Sequence, residues 1–82
     1  MSKTAVKSEI ELFVINKVRE LREQANFSQS RLALELGVSD GFIGQVESTK
    51  FASKYNLDHI DKLAVIFKCS PKDFLPDNPI NK

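Results

Sequence analysis

Four times between Phe27 and Phe74 the same short pattern recurs. An apolar residue is followed by Ser or Asn, and a second apolar residue stands five positions after the first. The instances are Phe27-Ser28 with Leu32, Val38-Ser39 with Ile43, Tyr55-Asn56 with Ile60, and Cys69-Ser70 with Phe74. Each reads as a helix start. The Ser or Asn oxygen accepts an otherwise orphaned backbone N–H, and the flanking apolar pair staples the entry of the chain. Ser70-Pro71-Lys72-Asp73 adds Pro at the first helical position and a carboxylate at the third.

The rest of the chain agrees with a helical reading. Glycine occurs only at 37, 41 and 44, and proline only at 71, 76 and 79. No stretch alternates as a strand would. Ile10, Phe13, Val14, Val18 and Leu21 recur at threes and fours, with Glu9 and Glu11 at the positive end of the helix dipole. Asn26 is a stop. The expectation is an all-α fold of five helices, at about 7–25, 29–36, 40–48, 57–67 and 71–75. The compact domain spans 8–75, after a flexible N-terminus at 1–7 and before a loose tail at 76–82 twice broken by Pro. Leu63, Ala64, Ile66, Phe67, Phe74 and Leu75 are assigned to the core.

Composition removes several classes of function. With 82 residues the chain holds one domain, and at 41% apolar residues it can bury a modest core. One Cys and one His leave no disulfide, no metal set and no nucleophile–base pair, so neither a catalytic site nor a cofactor is expected. Cys69 reads as a small buried hydrophobe and His59 as an exposed polar residue. Met1 to Ser8 lacks the apolar core of a signal peptide, and no run is long enough for a membrane span. The reading is a cytoplasmic protein with no evident small-molecule substrate. The net charge of +1 does not by itself mark a nucleic-acid binder.

Gly37, Val38 and Ser39 alone separate the second helix from the third. Gly37 suits the left-handed residue that ends a helix, Val38 plugs the corner, and Ser39 caps the third helix. So short a turn forces a sharp interhelical angle. Leu32, Ala33 and Leu36 then face Ile43 and Val46, and the outer face of the third helix is left free.

The stretch SQSRLALELGVSDGFIGQVESTK, from Ser28 to Lys50, resembles the Cro/phage-repressor-like helix-turn-helix family. The residues that carry the likeness are Ser28, Gln29, Leu32, Ala33, Leu36, Gly37, Val38, Ser39, Ile43, Val46 and Glu47. The likeness extends back to Val18-Arg19-Glu20-Leu21-Arg22 and forward to Leu75. It implies a dimeric repressor-like regulator that binds double-stranded DNA, with the third helix in a major groove. Ser28 and Gln29 would hold a phosphate at the start of the second helix. Ser39, Asp40, Gly41, Phe42, Gly44 and Gln45 would form the reading surface, with Gln45 suited to adenine. Lys50 and Lys54 would clamp phosphates beyond it. Arg22 and Glu47 match a family pair that ties the first helix to the third, expected to form and to be largely buried.

The third helix departs from the family pattern in ways that leave two readings open. Asp40 opposes phosphate but suits a helix start, and its carboxylate can accept from cytosine N4. Gly41 and Gly44 are either sites of close approach to DNA or a partner, or simply a weak helix. Phe42 is suited to thymine methyls or to packing, with packing favoured. Thr49 replaces the usual Gly or Asn after Glu47, which predicts a different exit from the helix. The competing functional reading is a protein–protein interaction module on the same fold, with weak or lost DNA binding.

Overall fold

The computed structural model describes residues 6–81. It contains α1 (Glu9–Gln24), α2 (Gln29–Leu36), α3 (Phe42–Glu47), α4 (Leu57–Phe67) and a 3₁₀ turn (Pro71–Phe74), with no strand among the described residues. The architecture is therefore all-α, with four α-helices instead of five. The expected fifth helix closes as a single 3₁₀ turn because Leu75 turns extended and Pro76 comes next.

The helix starts carry the devices that define them. Ser8, Asn56 and Ser70 each form a reciprocal capping box, with Glu11, His59 and Asp73 respectively. Ser28 caps α2 by accepting from Arg31 N–H at 3.0 Å. α1 stops where Asn26 turns to φ 60°, and α2 stops at Gly37 with φ 81°. The start of α3 is the exception. Gly41, not Ser39, is its N-cap, and no side chain caps its first turn. The Ser39 carbonyl accepts from Phe42 N–H at 3.1 Å. Residues 39–42 thus close as a turn before the helix begins, so Asp40 and Gly41 lie ahead of it.

Val18, Leu32, Leu36, Ile43, Val46, Leu63 and Phe74 are fully buried. α2 packs against α3 and α4, while α1 packs against α3 and the 3₁₀ turn. The buried face of α1 is rotated from the expected stripe. Ile15, Val18 and Arg22 are inside, whereas Ile10 and Phe13 remain 45% and 40% exposed. Leu75, expected in the core, is instead 47% exposed, since its extended backbone carries it out of the turn that buries Phe74. In the tail, Pro76 and Ile80 are half-buried, and residues 79–81 line a groove with Ser8, Glu9 and Ile10. No helix among the described residues is long and apolar enough to cross a membrane.

Candidate DNA-reading surface

The corner between α2 and α3 is set by Gly37, whose left-handed backbone lets its own N–H and that of Val38 return to the Ala33 carbonyl at 2.9 and 3.0 Å. Lys62 Nζ, from α4, adds a bond to the Leu36 carbonyl at 3.4 Å. Ile43 and Val46 point inward and fix which side of α3 faces out. Ser39, Asp40, Gly41 and Gln45 are exposed on the outer side, and Gly44 is half-buried.

Gln29 joins this surface from the start of α2. Its Nε2 donates to Glu47 Oε1 at 3.0 Å. A Cβ on Gly44 would stand 3.2 Å from Gln29 Oε1, so the missing side chain makes room for the amide to cross α3. This supplies a packing reason for Gly44 that neither reading of the sequence contained. Among the described residues, nothing crowds Gly41.

Beneath Gln29, Arg22 holds Glu47 with two prongs, Nε to Oε2 at 2.8 Å and Nη2 to Oε1 at 3.0 Å. Arg22 Nη1 also donates to the Phe27 carbonyl at 2.7 Å. The two side chains are 10% and 4% exposed. The carboxylate of Glu47 holds the guanidinium pKa above its ordinary value. One carboxylate thus ties the end of α1, the start of α2 and the end of α3 together.

Phe42 packs on its own chain. Its ring meets His59 at 5.3 Å and Tyr55 at 6.3 Å between centroids. His59, read from sequence as exposed, is half-buried in this aromatic cluster. Its Nδ1 accepts from Asn56 N–H at 3.1 Å, and burial lowers its pKa. The period of α4 is what could have revealed it: His59 precedes Ile60 and Leu63 and flanks their buried face. Cys69 is half-buried, and burial raises its thiol pKa.

The two lysines after α3 differ. Lys50 is exposed, and its backbone N–H donates to Ser48 Oγ at 3.1 Å. Lys54 is engaged by Glu11 Oε2 at 2.6 Å, which offsets its charge and holds the Glu11 pKa below its ordinary value. Gln45 Oε1 accepts from Ser53 Oγ at 3.3 Å, leaving its amide N–H groups directed elsewhere. Ser28 and Asp40 are exposed. Among the described residues, no group of His, Cys, Asp and Glu is arranged to hold a metal ion.

A tight helical corner, an outward short helix and an amide crossing from the preceding helix define a DNA-binding helix-turn-helix protein of the transcription-regulator class. Residues 18–74 match the profile of the helix-turn-helix family of Cro/C1 type, and the chain belongs to that family. The family is one of DNA-binding regulators. Among solved structures, the chain is similar to the restriction-modification controller protein C.AhdI from Aeromonas hydrophila. That match has 28% identity and a TM-score of 0.66, and covers 78% of this chain and 94% of that one. It also shares its fold with a hypothetical transcription factor, NHTF, from Neisseria, at 20% identity and a TM-score of 0.68, covering 90% of each chain. No curated protein matches the sequence.

Proposed function

We propose that the protein is a sequence-specific regulator of transcription that reads the major groove of double-stranded DNA with α3, as a homodimer. The observation that carries this reading is the placement of Gln29 across Gly44, beside the exposed Gln45. It brings an amide suited to phosphate and an amide suited to a base edge onto one face, which supports the reading. Ser28 and Gln29 contact the backbone at the start of α2. Ser39, Asp40, Gly41 and Gln45 approach base edges, with Phe42 and Gly44 shaping the surface between them. Lys50 contacts phosphate, and Lys54 does so on leaving Glu11.

A single reading helix spans only a few base pairs, so useful affinity calls for two copies with half-sites about 34 Å apart. Ile10, Leu57 and Leu75 are exposed around one apolar groove between α1 and the start of α4, which fits a contact between copies. The Lys54–Glu11 pair favours the second reading, a protein-interaction module, because it offsets a cation beside the reading face.

Selection from a random duplex library at about 0.1–0.15 M salt decides between them. Enrichment of a two-fold symmetric motif supports the dimeric regulator. Weak binding with no enriched motif supports the interaction module. In the first case, Gln45→Ala relaxes preference at particular bases, whereas Gln29→Ala weakens all duplexes alike.

A further inference from the structure

The longest polar ties in the fold run from two residues that precede the family-matched segment. Lys7 is 3% exposed, and its Nζ reaches the end of α3. It donates to the carbonyls of Gln45 at 3.2 Å and Val46 at 2.6 Å, and to that of Ser48. Three ammonium hydrogens thus meet three carbonyls. Four residues on, Glu11 takes Lys54 at 2.6 Å. Lys7, just ahead of α1, and Glu11, in its first turn, therefore grip both ends of the segment from Gln45 to Lys54.

α3 needs such support. It has six residues, includes Gly44, and has no side-chain cap at its start. It also lacks the left-handed residue that ends α2 and α4, since Ser48 is extended and Thr49 comes after it. The Ser48 N–H returns to the Gly44 and Gln45 carbonyls at 3.0 and 3.3 Å, whereas the Val46 carbonyl, among the described residues, has Lys7 as its donor beyond the helix. A lysine ammonium suits that place, because the C-terminal end of a helix carries partial negative charge. Burial lowers the Lys7 pKa while Glu11 raises it, in keeping with a desolvated ammonium that still has an anion nearby.

We infer that Lys7 is a positioning residue for DNA reading: it caps α3 from outside the helix-turn-helix unit and fixes the orientation of Gln45 toward the bases. The inference rests on the DNA-binding function proposed above. Because Nζ is turned into the protein, Lys7 acts through α3 and not on phosphate.

The test compares full-length wild type, Lys7→Met and Lys7→Arg on the duplex that wild type selects and on a scrambled duplex of equal length. Lys7→Met is expected to weaken the selected duplex about tenfold and the scrambled one less than about twofold. The salt dependence stays unchanged, and Lys7→Arg recovers part of the loss. Unchanged affinity for the selected duplex overturns the inference, as does an equal loss on both. A fall of about one in the salt slope also overturns it, because Lys7 would then be a phosphate contact. If Lys7→Met does not fold, the unaltered protein decides through its Lys7 ammonium resonance in ¹⁵N-detected NMR. Slow hydrogen exchange supports the cap, and the rapid exchange of a solvated ammonium overturns it. Should wild type select no duplex, the regulatory function fails and this inference fails with it. A wild type that selects a motif beside an indifferent Lys7→Met removes this inference alone.

Discussion

Arg22 and Glu47, 25 positions apart, meet through two parallel hydrogen bonds of 2.8 and 3.0 Å with little of either side chain exposed. A pair so withdrawn from water is costly to break, because the survivor is left charged and unpaired. Glu47→Ala is expected to destabilise the fold by about 3–5 kcal/mol in urea unfolding. Replacing both partners by Arg22→Met and Glu47→Leu should recover much of that loss. A double replacement no better than Glu47→Ala would contradict the account.

Gly44→Ala sets two effects against each other. Alanine favours a helix interior by about 1 kcal/mol over glycine. Its Cβ would also stand 3.2 Å from Gln29 Oε1, so the amide must shift by a few tenths of an ångström, which strains the bond from Gln29 to Glu47. Since the end of Gln29 is flexible, stability should change by less than about 1 kcal/mol. Duplex binding should fall, and combining Gly44→Ala with Gln29→Ala should add no further loss. Additive losses would separate the two residues.

The Tyr55 hydroxyl is buried without a hydrogen-bond partner among the described residues. Burial, followed by the charge of Glu47, drives its pKa well above the ordinary phenol value. Tyr55→Phe keeps the ring against Phe42 and removes the orphaned group. Thermal unfolding should show unchanged stability or a gain of about 1 kcal/mol. A clear loss would reveal a partner for the hydroxyl.

His59 makes stability depend on pH. Burial, then Lys62, lowers its folded-state pKa, so the unfolded chain takes up the proton first as pH falls. The stability tied to neutral His59 is complete above about pH 6.5 and declines as pH drops toward the lower folded value. Protonation at Nδ1 also removes the acceptor that closes the capping box with Asn56. Urea midpoints measured from about pH 7 to 5 should fall for wild type and stay flatter for His59→Gln. Parallel curves would exclude His59 as the source.

Much of the fold is legible in local chemistry. Ser28, Asn56 and Ser70 cap helices that begin one residue later, because each cap needs only its next three residues. The same logic fails at Ser39, where Asp40 and Gly41 let the chain turn before the helix starts. The likeness to a family couples Arg22 with Glu47, and the two stand 2.8 Å apart. Lys7 is not legible. A lysine in a polar leader resembles any solvated charge, and its partners are carbonyls about forty residues away, which no side-chain pattern encodes. Thr49 is the one hint, since it denies α3 the usual ending. The engagement of Lys54 is hidden for a similar reason: its partner Glu11 lies in a turn of α1 that the sequence marks only for its dipole.

The reciprocal boxes at Ser8, Asn56 and Ser70 bear on the order in which the chain assembles. Each closes within three residues, so nascent helices arise at negligible loop-closure cost. The ties from residues 7 and 11 must gather some forty positions before they reward the chain. Maturation should therefore run from a quickly formed helical scaffold to a slower last event, the docking of the leader that locks the tip of α3.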